Sequence, residues 1–90
     1  MADVEELKDT IDKMEEQHQN GNTQQTKKYA KYAQKIVAGL HELGKISTKV
    51  AKELIRLIKA VVKIVYPLAK KLYLDLRDKL EDLAEDIVLE

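Results

Sequence analysis

Apolar residues recur through this chain at alternating spacings of three and four, and a chain patterned that way must bury helical stripes. Val4, Leu7, Ile11, Met14 and His18 share one stripe over residues 3–19. Asp3 stands where an N-cap belongs, and Glu6 three residues on completes a capping box. Asn20-Gly21-Asn22 stops this helix, because Gly and Asn tolerate the left-handed conformation of a C-terminal cap. A second stripe, Tyr29, Tyr32, Ala33, Ile36, Val37, Leu40 and Leu43, predicts a helix over 23–43 that Gly44 ends. Ser47 then caps a third helix, in which Val50, Leu54, Leu57, Ile58, Val61 and Val65 are in phase. Ile55, Val62 and Ile64 widen that apolar arc until only Lys49, Lys52, Arg56, Lys59 and Lys63 form a polar line, so this helix needs at least two neighbours.

Pro67 leaves the topology open. Its ring fits the start of a new helix or kinks a continuing one. The stripe Val61, Val65, Leu68, Leu72, Leu76, Leu80, Leu83, Ile87 keeps helical phase across it, and no Gly, Asn or Ser occurs in residues 60–74 to make an easy turn. Matched segment lengths favour an all-α, up-and-down four-helix bundle with helices over 3–19, 23–43, 48–65 and 67–88. The alternative is three helices, the last a kinked rod over 48–88 about 60 Å long, whose uncovered stripe implies a homodimer.

With 90 residues the chain makes one domain over 1–88, and Leu89-Glu90 reads as the scar of an expression tag. The absence of cysteine excludes disulfides, thiolate metal sites and a cysteine nucleophile. The acidic N-terminus lacks the apolar core of a secretory signal, and no apolar run approaches the roughly 20 residues of a membrane span. A cytoplasmic or recombinant soluble protein is the expectation.

The formal charge is zero, yet it is unevenly placed. Residues 1–20 carry seven acids and two lysines, and residues 72–90 seven acids and two bases, while residues 21–71 sum to +10. In an up-and-down bundle this makes one side basic and the other acidic. One reading has the acidic helices offset the basic ones across their seams. In the other, Lys27, Lys28, Lys31, Lys35, Lys52, Arg56, Lys59 and Lys63 form a face for an anionic partner, nucleic acid, acidic membrane or another copy.

Sites of chemistry are sparse. Residues 27–35 interleave lysine with Tyr29 and Tyr32, as a single-strand binding surface does, but the tyrosines are in phase with Ile36 and Leu40 and read first as core-edge residues. The third helix has the make-up of a membrane-surface helix, but acidic neighbours would cover its apolar arc. Glu15 and His18 have the Glu-x-x-His spacing of di-metal bundles without the second copy such a site needs, and His41 falls near the other end of its helix. Glu5, Glu6, Asp9, Asp12, Glu15 and Glu16, and likewise Asp75, Asp78, Glu81, Asp82, Glu85 and Asp86, read as solvated carboxylates, which make poor general acids. The expectation is a non-enzymatic helical bundle with no catalytic residue, metal or cofactor and no small-molecule substrate. It would act as a scaffold or a protein-interaction module, pairing with itself or another helical protein rather than with nucleic acid or membrane. Stripes, caps and charged surfaces agree with one another as they do in a designed or engineered protein, although Pro67 and the Gln, Asn and His content are less regular than idealised designs.

Overall fold

The computed structural model describes residues 3–89 and contains four helices, α1 (Val4–Gln19), α2 (Thr23–Glu42), α3 (Thr48–Val61) and α4 (Tyr66–Leu89). Each packs on its neighbour in sequence, α1 also closes against α4, and the diagonal pairs do not meet, which is the up-and-down bundle. Its extents of 39 × 21 × 20 Å leave no place for a rod over 48–88. Leu89 is the last residue of α4; the side chains of residues 86–89, Asp86 and Ile87 among them, and all of Glu90 lie outside the described residues.

Three of the four helix starts and two of the three turns follow from local chemistry. The side chains of Asp3, Asn22 and Ser47 accept from the backbone N–H of Glu6, Gln25 and Val50, respectively. Gly21 and Gly44 take φ of 78° and 74°. Beside each, paired bonds, Gly21 N–H to His18 and Asn22 N–H to Gln17, then Gly44 N–H to His41 and Lys45 N–H to Leu40, close a Schellman cap. The capping box at α1 is one-sided: the Glu6 carboxylate accepts from the Tyr32 hydroxyl instead, at 3.0 Å.

The core gathers Leu7, Ile11 and Met14 from α1, Ala33, Val37 and Leu40 from α2, Leu54, Ile58 and Val61 from α3, and Ala69, Tyr73, Leu76 and Leu80 from α4. Burying each large aliphatic or aromatic side chain contributes roughly 1.5–3 kcal/mol before the entropy of ordering it is set against that. The seam between α1 and α2 is lined by small residues: Thr10, Thr26, Ala30 and Ala33 are all buried. The two threonine hydroxyls bond the carbonyls one turn back, Glu6 and Asn22, both at 2.8 Å, so the backbones approach with no orphaned polar group.

Three expectations are corrected. The third helix stops at Val61, four residues before its apolar phase ends, and the fourth starts at Tyr66, so Pro67 sits in the first turn, where its missing N–H costs nothing. The apolar stripe does not run through this turn: Val65 is 64% exposed and Leu68 70%, and the buried line of α4 is Ala69, Tyr73, Leu76 and Leu80. On the second stripe Tyr32 and Leu43 are likewise exposed, while Ala30 and Thr26 are buried in their place.

Candidate functional site

The largest polar cluster lies at the end of the bundle where α1 finishes and the α3–α4 turn crosses over it. His18, the penultimate residue of α1, is half-buried and spends both ring nitrogens. Nε2 is 2.9 Å from the Ile64 carbonyl, and Nδ1 is 2.8 Å from the Tyr73 hydroxyl. A carbonyl only accepts, so Nε2 carries the proton and, in the neutral ring, Nδ1 accepts from the Tyr73 O–H. Tyr66 and Tyr73, seven residues apart on α4, flank the imidazole edge-on, each with ring centroids 5.7 Å from it.

Glu15 extends the cluster. It is only 8% exposed, which overturns its expected place on the solvent side of α1. Its carboxylate accepts from the Tyr66 hydroxyl at 3.0 Å and from the Arg77 guanidinium, which also reaches Asp12 at 3.2 Å. Burial pushes the Tyr73 hydroxyl well above the ordinary phenol range, and the Glu15 and Tyr66 oxygens push it the same way. Tyr66 is raised as well, first by burial and then by its bond to Glu15, with Arg77 opposing. Every member is thus engaged, and among the described residues no buried side-chain nitrogen or oxygen lacks a partner. These bonds tie α1 and α4 to the α3–α4 turn.

Glu15 and His18 do converge on one face, as their spacing predicts, but onto tyrosines, arginine and a backbone carbonyl. Among the described residues no three His, Asp or Glu side chains converge as metal ligands. His41 is at the opposite end of the bundle, where Nε2 meets the Thr48 hydroxyl at 3.0 Å. The Ser47 side chain is an N-cap. Two signals for this cluster were present in the sequence: Glu15 follows Ile11 by four and so is in phase with the buried arc, and Arg77 is one of only two arginines in a lysine-rich chain.

The eight cations of the expected anionic-partner face are all exposed: Lys27, Lys28, Lys31 and Lys35 on α2, Lys52, Arg56 and Lys59 on the adjoining α3, and Lys63 in the turn that follows it. None forms an ion pair among the described residues. Opposite charges are therefore not matched across the α1–α2 seam. Besides the Arg77 pairs, the described bridge is Lys79 to Glu53 at 3.3 Å, a base of the acidic α4 on the one acid of α3. Tyr29 is half-buried at the core edge, and Tyr32 is exposed with its hydroxyl on Glu6, a bond that raises its pKa.

Two clefts open nearby. One, of about 370 Å³, runs between the α1–α2 turn and the α3–α4 turn over Thr26, Val62, Ile64 and Tyr66. The other, of about 250 Å³, lies on the α1–α2 groove. No helix among the described residues is long and apolar enough to cross a membrane. No family model matches the chain, and neither the curated proteins nor the solved structures give a match.

Proposed function

We propose that this chain is a non-catalytic helical scaffold or protein-interaction module, designed or engineered in origin, that works through its helix surfaces. The observation that carries this reading is the division of the surface: exposed cations with no ion-pair partner among the described residues crowd α2 and α3, while α1 and α4 carry most of the acids. The polar side chains best placed for chemistry, His18, Glu15 and Tyr73, are consumed in holding the turn. A surface split by charge selects partners and their orientation more than it adds affinity. The closest such partner is a second copy, whose acidic side complements the basic one.

Sedimentation equilibrium at 20 mM and 500 mM salt tests this. Association at low salt that disappears at high salt supports pairing through the charged sides. A monomer at every concentration and salt removes self-association. The second reading, an anionic partner on α2 and α3, rests on the same cations and predicts retention on heparin that weakens steeply with salt.

A further inference from the structure

Lys13 belongs to acidic α1, yet the packing of α1 on α2 brings it to the same cleft as Lys28, with Tyr29, Tyr32 and Thr10 completing the lining. Lysines from two helices and two tyrosines thus line about 250 Å³. The sequence placed Lys28 beside the tyrosines; only the fold adds Lys13. The geometry points to this groove as a binding site for a planar aromatic ring that carries a phosphate, a nucleotide, with the ring against Tyr29 and Tyr32 and the phosphate between Lys13 and Lys28.

The parts suit that chemistry. Aromatic side chains stack on any base through its π-face, and lysine serves phosphate as a compact point charge with three donors. Tyr32 is held in place by its bond to Glu6, so its ring is positioned in advance. Thr10 spends its hydroxyl on the Glu6 carbonyl and presents its methyl group. Neither lysine has an ion-pair partner among the described residues, although Asp9 and Glu16 stand one turn either side of Lys13, and they keep the affinity weak. At about 250 Å³ the cleft falls short of the roughly 300–1,000 Å³ of pockets that enclose drug-sized ligands, so part of the nucleotide would stay in solvent.

The site shares Lys28 with the broad basic face of α2 and α3, and Lys13, which lies outside that face, tells the two apart. Titration of the isotopically labelled protein with AMP, followed by amide NMR, should give saturable shifts confined to residues around Thr10, Lys13 and Lys28 to Tyr32. Lys13→Gln and Lys28→Gln should each weaken binding roughly threefold to fivefold, and Tyr32→Leu about fivefold or more. Lys59→Gln on α3, which removes the same charge elsewhere, should leave it within about 1.5-fold. Adenosine and inorganic phosphate should each bind more weakly than AMP. An octamer of deoxyadenylate with the same pattern across variants supports the site in either case: tighter binding than AMP assigns a single strand as the source, equal binding a free nucleotide. A Lys59→Gln loss as large as that of Lys13→Gln, phosphate binding as tight as AMP, or the lack of saturation with AMP would each overturn the assignment.

Discussion

His18 donates from Nε2 to the carbonyl of Ile64 at 2.9 Å, joining residues 46 positions apart across the one turn of the bundle that contains no turn-forming residue. The other two turns have Gly at φ near 75° and paired cap bonds. At the α3–α4 turn the cap of α3 is Val62, the bond that follows is Lys63 N–H to Ala60, and the chain is held by a side chain from α1. His18→Ala therefore strands the fully buried Tyr73 hydroxyl and frees the Ile64 carbonyl. The expected loss is about 2–4 kcal/mol in urea unfolding. Tyr73→Phe in the same background should recover part of it, giving a coupling energy of about 1–2 kcal/mol in a double-mutant cycle.

Pro67 supplies the second restraint at this turn: it has no N–H to give the carbonyl four residues back, and its ring clashes there, so α3 cannot run on through it. Pro67→Ala alone should cost roughly 0.4–1 kcal/mol through the unfolded chain. Combined with His18→Ala, it leaves nothing to stop residues 48–88 from running on as one helix, since their apolar residues stay in phase through 62–65. Light scattering should then report a domain-swapped dimer, with neither single variant doing so at the same concentration.

Alkaline pH attacks the same cluster. The neutral Tyr73 is favoured in the fold, so its folded pKa lies above the unfolded value near 10. The stability it contributes is complete below about pH 10 and is lost as pH rises beyond it, at up to about 1.4 kcal/mol per pH unit, because the unfolded phenol ionises first. Tyr66 adds a smaller effect of the same sign. Urea unfolding at pH 8, 10 and 11 should show the decline, and Tyr73→Phe, though less stable at pH 8, should show a shallower one.

The helices were legible in the sequence wherever the signal was local. The caps Asp3 and Ser47 and the stops Gly21 and Gly44 stand where spacing and residue type put them, and the α1 stripe from Val4 to Met14 is buried throughout. What stayed hidden depends on contacts distant in sequence. The end of α3 at Val61 is set by His18, and the burial of Glu15 by Tyr66 and Arg77. The shift of the α4 stripe from Leu68 to Ala69 follows from the turn, because leaving the helix for four residues breaks the phase that Val61 and Val65 had carried. The cleft between Lys13 and Lys28 needed the packing of α1 on α2.

Arg77 bridges two acids of α1 from within an otherwise acidic helix. Arg77→Met removes the only cation paired with Glu15 among the described residues and leaves that carboxylate poorly hydrated beside Asp12. Breaking a buried pair costs about 3–5 kcal/mol, but Arg77 is partly exposed and water will screen the loss, so about 1–2 kcal/mol is expected. Arg77→Lys should recover only part of it, because one ammonium cannot span both carboxylates as the fork does. Thermal unfolding of the two variants at one salt concentration tests the order.

The two apolar lines of α4 make opposite predictions for substitutions that look equivalent in the sequence. Leu68 and Leu76 both belong to the in-phase stripe that crosses Pro67, yet Leu68 is mostly in water and Leu76 is fully buried against the other helices. Leu76→Ala should therefore cost about 2–5 kcal/mol, the transfer of the lost methylenes plus the cavity they leave. Leu68→Gln should stay within about 0.5 kcal/mol, as substitutions on the surface do. If residues 48–88 formed a continuous rod burying the whole stripe in a dimer, both leucines would face its seam and both substitutions would be severe. Urea unfolding of the two variants, with their masses measured in the same buffer, separates the hairpin from the rod by the behaviour of Leu68 alone.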